Sequence, residues 1–388
     1  GLFASCSGTV KDLTLYGSIT LTGSNGTNWN NALGSVVGFL TGSGNVSGVT
    51  SYVTIKKTGN DAYSHVGGIV GGTDYIGTTT VKKCLFFGSV SVTSSYDCIG
   101  GVVGYANSGT AISYCANLGT VEATRGSLTR DPYVGGILGY VNNDSTTVKN
   151  CYNYGEISSY GSYCGAIIGC VNTHSSSSLT ADCYYLDDSN TNAVGTGAKV
   201  TLIDPPKAKT LAQFTSGEVC YLVNSKTSTG EKALWKQDID NDSTPYDQYP
   251  VFNAAAVYYR SDHTYSNHRE NISVTVSWGS MEFVCTQKWD PDTHKTTVTW
   301  SPSAEGSNKF TVTNNSNVTV KVTASFTPED ALKSCGLSGM FSDFGDSALG
   351  KGISKSGILA LSSNVVPTSL TTSPNTIGKL TITVTALQ

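Results

Sequence analysis

A six-residue phrase, VGGIVG at residues 66–71, recurs as IGGVVG at 99–104 and VGGILG at 134–139, with looser copies LGSVVG at 33–38 and CGAIIG at 164–169. Its first glycines, Gly34, Gly67, Gly100, Gly135 and Gly165, stand 33, 33, 35 and 30 residues apart. Self-similarity at such a period marks a solenoid, in which each repeat buries its apolar face only against its neighbours. A second phrase keeps step with the first: TVKDLTLYGSI at 9–19, TVKKCLFFGSV at 80–90, AISYCANLGTV at 111–121 and TVKNCYNYGEI at 147–157, followed by Ser158.

Within each unit, apolar and polar residues alternate over short stretches rich in Val, Ile, Tyr and Thr, broken by Gly, Asn and Ser. That period of two reads as strand, and no helical period competes with it. The expected fold class is therefore all-β: a right-handed parallel β-helix over residues 1–205, with three short strands per turn and like side chains stacked in ladders. Cys84, Cys115, Cys151 and Cys183 fall in one column at spacings of 31, 36 and 32, continued backwards by Val49 and Leu13. A column that accepts Leu, Val or Cys is an interior one, because a thiol packs there as a small hydrophobe. Gly67, Gly100, Gly135 and Gly165 are read as structural, allowing a sharp corner or a positive φ at the same place in each coil. A phosphate-binding glycine loop would need a helix to follow, and none does.

VGGIVG followed by TVKKCLFFGSV, and VGGILGYVNNDSTTVKNCYNYGEIS at 134–158, resemble the GLUG-motif repeats of bacterial cell-surface proteins. The resemblance covers about residues 1–190. It implies a β-helix on a secreted or wall-attached protein, extracellular or at the cell surface, within a larger modular parent chain, and it carries no catalytic motif. The opening GLFASCSGTVKDLTLYGSI is similar to a further unit whose own beginning is missing, so a fragment or processed product is expected.

Past Asp187 the period stops. Residues 206–258 read as a cap: KTLAQFTSGEVCYLVNSK at 209–226 places Leu211, Phe214, Val219 and Leu222 near one helical face with Thr210 as N-cap, suited to cover the open end of the coil. Residues 259–388 alternate again without helices, which suggests an antiparallel β-sandwich of Ig-like size. Only 13% of residues are charged and the formal net charge is -4, so no nucleic acid partner is expected. No apolar run long enough for a membrane span occurs, so no membrane insertion is expected. Eleven cysteines leave at least one thiol free or paired outside the chain; Cys285 with Cys335, and Cys164 with Cys170, are candidate pairs.

Candidate chemistry is sparse. Asp238, Asp240 and Asp242 alternate like the opening of a calcium loop, making calcium the one cofactor to consider. The full loop pattern, however, asks for Gly and Glu where Ser243 and Tyr249 stand. The five histidines show no metal-binding spacing, and no nucleophile elbow is present. Glu122 and Glu156 hold nearly equivalent places in successive turns and are the candidate carboxylates should the chain cleave polysaccharide. Tyrosines crowd the repeats, and Tyr105, Tyr140, Tyr152 and Tyr154 are candidates for a ligand-gripping aromatic row. The expected function is non-enzymatic adhesion or binding, with a host glycan or a host protein such as an immunoglobulin or mucin as partner. The alternatives are a carbohydrate-active β-helix enzyme and a purely structural stalk.

Overall fold

The computed structural model describes the chain except for residues 23–30, 60–63, 75, 95, 108, 127–129, 143–144, 173–178, 188–191, 196–200, 227–232, 241–246, 261, 368–374 and 388. It divides into two compact units, one formed by residues 1–259 and 265–267 and the other by 260–264 and 268–388.

The first unit is a parallel β-solenoid of about five turns. Each turn carries four strands rather than the expected three. In one turn these are Ser64–Gly67, Val70–Thr73, a strand in two pieces (Thr80–Lys82 and Leu85–Phe86), and Ser89–Ser94. Each pairs in parallel with its counterparts above and below, so four sheets wall the coil.

The break within the third strand has a local cause. Asp12, Lys83, Tyr114, Asn150 and Asp182 all have φ between 50° and 56°, and Gly48 stands in the same column at 65°. Each precedes a core residue: Leu13, Cys84, Cys115, Cys151 and Cys183 respectively, with Gly48 before Val49. A left-handed residue turns the next side chain inward out of the pleat's alternation, which a regular pleat cannot do. Polar residues tolerate this conformation better than branched ones, which explains Asp and Asn in the column.

The glycine phrases act differently. Gly34, Gly67, Gly100, Gly135 and Gly165 lie in register along one sheet, but none has a positive φ. What they supply is close approach: a Cβ on Gly67 would lie 1.9 Å from the Val70 carbonyl oxygen, and one on Gly100 would lie 1.9 Å from that of Val103. The corner is tight enough to send a residue just beyond it, for example Ile69, Val102 or Ile137, into the core. One continuous apolar cluster runs the length of the coil, including Val46, Val81, Ile112 and Val148 from one column and Val66, Ile99 and Val134 from another. Each such side chain contributes about 1.5–3 kcal/mol of burial.

Lys207–Lys209 pairs in parallel with Tyr184–Leu186 and extends the last turn, while the helices that follow, expected over the open end of the coil, pack against its side. The helices Leu211–Thr215 and Glu218–Val223 are joined through Gly217 at φ 84°, and Thr210 and Gln213 form a capping box on the first. Phe214, Val219, Cys220, Val223 and Trp235 form a second apolar cluster with Leu85, Ala116, Tyr152 and Tyr184, which project outward from the broken-strand sheet. Leu211, expected on the buried face, is exposed. Along the outward column occupied by these four, the residues read Thr14, Thr50, Leu85, Ala116, Tyr152, Tyr184. The switch from threonine to apolar marks where the helices land. At the far end of the coil, Ala193, Val194 and Leu202 pack against the interior cluster, and Val194 bridges Ile168.

The second unit is antiparallel. A four-stranded sheet runs in the order Val274–Trp278, Lys309–Asn314, Ser354–Ser362, Ser338–Ser342, and a three-stranded sheet in the order Ser347–Leu349, Val320–Pro328, Gly378–Ala386. Phe310, Val312, Val320, Val322, Phe344 and Leu349 fill the space between them. A separate hairpin, Phe283–Asp290 with Lys295–Pro302, packs Phe283 and Trp300 onto a smaller cluster around Leu332, Cys335 and Leu359.

Candidate functional site

In the repeated phrase, the residue two places after the second half of the broken strand begins falls in one outward column: Tyr16, Tyr52, Phe87, Leu118 and Tyr154. Tyr16 and Tyr52 stack with ring centroids 4.9 Å apart and planes within 3°, and Tyr52 stacks on Phe87 at 4.9 Å and 12°. That separation is the distance between neighbouring strands. Rings touch at about 3.5 Å, so a 4.9 Å step requires them to lean like shingles, each leaving part of its face uncovered.

Tyr16 is 75% exposed and Tyr52 41%. Toward the later turns the strip runs under the side-lying segment, where Tyr249 packs on Phe87 at 6.3 Å and on Tyr154 at 5.0 Å. Hydroxyl columns flank the strip. Thr14 and Thr50 stand on one side, and Ser18, Thr54 and Ser89 on the other, with the Ser89 hydroxyl donating to Thr54 at 3.3 Å. Aromatic faces between rows of hydroxyls can take the apolar face of a ring-shaped ligand while the hydroxyls meet its polar rim.

The four tyrosines expected to form a gripping row do not form one. Tyr152 is fully buried beneath the helices, edge to face with Trp235 at 5.0 Å, its hydroxyl donating to the Pro250 carbonyl. Tyr154 is half-buried between Phe214 and Tyr249. Tyr105 is buried, stacked on His65 at 4.2 Å, and only its neighbour Tyr140, at 5.7 Å, reaches partial exposure. Tyr140 belongs to a separate half-exposed cluster with Tyr133, Tyr163 and Tyr96, the last under the Arg130 guanidinium. Burial pushes the Tyr133 and Tyr140 phenols well above the ordinary tyrosine range, so both stay protonated at neutral pH.

Glu122 and Glu156 are not stacked. Glu122 pairs with Ser91 and Ser158, while Glu156 lies two residues before Ser158 and accepts the Val121 N–H at its backbone carbonyl. The Glu122 carboxylate accepts from the Ser91 hydroxyl at 3.4 Å. Asp240 accepts from Ser266 and from the Asn267 amide, and the Asp238 amide donates to Asp247, so these two aspartates shape a turn; Asp242 lies outside the described residues. Among the described residues, no group of three or more His, Cys, Asp or Glu is placed to hold a metal ion.

Cys84, Cys115, Cys151 and Cys183 are buried in one ladder, with the Cys115 amide donating to the Cys151 sulfur at 3.4 Å. Desolvation holds the Cys84, Cys115 and Cys151 thiols well above the usual thiol range, where they are unreactive. Neither the Cys285 with Cys335 nor the Cys164 with Cys170 disulfide is formed.

The exposed strip escaped the sequence reading although its signal was present. In the aligned phrases the residue before the glycine is Tyr16, Phe87, Leu118 and Tyr154 in turn. Comparison with known proteins returns no match: no family model, curated protein or solved structure aligns with the chain.

Proposed function

We propose that the chain is a non-enzymatic binding module of a bacterial cell surface, and that it holds a glycan along the Tyr16, Tyr52 and Phe87 strip. The observation that carries this reading is the shingled aromatic row, open at Tyr16 and Tyr52, where hydroxyls stand on both sides of the rings. A sugar ring has an apolar face and a polar rim, and the strip offers matching chemistry on both counts. The resemblance of the repeats to GLUG surface repeats supports the location. The offset of Glu122 from Glu156 removes the stacked pair on which a cleavage reading rested.

The test is a binding screen of the purified chain and of a Tyr16→Ser/Tyr52→Ser variant against glycan and host-protein arrays, with reducing-sugar release followed in parallel. Saturable glycan binding by the wild-type chain, lost in the variant and without product, is the expected result. Binding only to proteins, or binding that the variant retains, contradicts the glycan strip. Product release contradicts the non-enzymatic reading.

A further inference from the structure

One column of the solenoid interior carries a charged residue among apolar ones. It reads Leu21, Lys57, Val92, Ala123 in successive turns, with Lys57 in the strand Thr54–Thr58. The Lys57 Nζ lies 2.8 Å from Asp97 Oδ2, and both side chains are 0% exposed. Asp97 immediately precedes the strand Cys98–Gly100 of the following turn. Its other oxygen, Oδ1, accepts the Ser64 backbone N–H at 2.7 Å. Burying a charged pair costs several kcal/mol per ion, and its Coulomb attraction seldom returns a surplus over an apolar pair of the same size. Nothing in the packing of the coil requires charge at this position, where the flanking turns use Leu21 and Val92.

We propose that Lys57 and Asp97 condense to an intramolecular amide that staples consecutive turns of the solenoid. One proton crosses the 2.8 Å hydrogen bond from the Lys57 ammonium to Asp97 Oδ2, leaving an amine and a carboxylic acid. The Nζ lone pair attacks Asp97 Cγ, forming the C–N bond and placing negative charge on Oδ1. The Ser64 N–H already aimed at Oδ1 holds that oxyanion as a preorganised donor. The nitrogen then passes a proton to the Oδ2 hydroxyl, the Oδ1 charge returns to re-form the carbonyl, the bond from Cγ to Oδ2 breaks, and Oδ2 leaves as water. No oxidant, cofactor or second protein is consumed.

Three features of the site favour the step. The partners are held within hydrogen-bond reach, which removes most of the entropic cost of bringing them together. The dry core excludes the water that would reverse the reaction. The product is neutral, so the desolvation cost of the ion pair disappears. The crosslink closes a loop between residues 40 apart in sequence and so restrains the unfolded chain. It shares no residue with the aromatic strip, so either can fail without the other.

The experiment is intact-mass measurement of the full chain, denatured and reduced, followed by peptide mapping. The expected mass is that of the sequence less one water, with Lys57 resistant to trypsin and a branched peptide joining the Lys57 and Asp97 segments. Asp97→Asn is expected to reach the same final mass by releasing ammonia instead, and Lys57→Met to keep its full sequence mass. A wild-type chain at full sequence mass with Lys57 cleaved by trypsin overturns the proposal, as does a water loss that maps elsewhere. The wild-type result suffices alone should either variant fail to fold.

Discussion

Trp235 reaches back over 85 residues to donate its indole N–H to the Asn150 carbonyl at 2.9 Å, beside the edge-to-face contact its ring makes with Tyr152. The indole thus joins the side-lying segment to the column of left-handed residues that shapes every turn of the coil. Truncating Trp235 to Ala leaves a cavity and an unpaired carbonyl, and a loss of about 3–5 kcal/mol is expected. Urea unfolding should report it, and limited proteolysis should show cleavage within 206–258 before cleavage of the repeats.

The glycine corners predict a sharp contrast between two similar substitutions. Gly100→Ala drives a methyl into the Val103 carbonyl region and is expected to destabilise by about 1–3 kcal/mol or more. Gly8→Ala meets nothing within 4 Å and is expected to be neutral or slightly stabilising. Thermal midpoints of the two variants side by side check this.

Inside the coil, Asn117 donates to the Asn153 side chain at 2.7 Å, and both are buried. Asn153→Ala removes the acceptor and leaves a buried amide group unmet, for an expected cost of about 1–3 kcal/mol. Denaturant midpoints should show the loss, and Asn153→Asp, which keeps an acceptor, should recover part of it at neutral pH.

Alkaline pH should weaken the solenoid. The Cys84, Cys115 and Cys151 thiols are raised by burial, so the folded state holds protons that the unfolded chain releases. That stability is fully present below the ordinary thiol pKa of about 8.5 and is lost as pH rises beyond it. The urea midpoint should therefore fall between neutral pH and pH of about 10. In Cys115→Val, which fills a similar volume, the fall should be shallower.

The repeat period and the interior columns are open to view in the sequence, because parallel stacking puts like residues on like: the cysteine ladder and the row of first glycines can be counted off by spacing alone. The pleat face of each aromatic is hidden there. Tyr152 and Tyr154 are two residues apart and read alike, yet one is buried beneath the helices and the other stands at their rim. The side chain that covers Tyr152 is Trp235, which no local pattern connects to it. Glu122 and Glu156 misled for a related reason. Cys115 and Cys151 are 36 residues apart, and Glu122 keeps that same offset, which carries it to Ser158. The landing site of the helices was also written in sequence, as the change from Thr14 and Thr50 to Leu85 and Ala116, but only the register makes those four one column.

The most direct test of the glycan strip is the affinity of the chain for the glycan it captures, measured by titration calorimetry for wild type and Tyr52→Ala. Tyr52 is the middle ring of the strip, in contact with both Tyr16 and Phe87. A loss of at least about tenfold is predicted, corresponding to about 1.4 kcal/mol, with the thermal midpoint little changed. An unchanged affinity would contradict it.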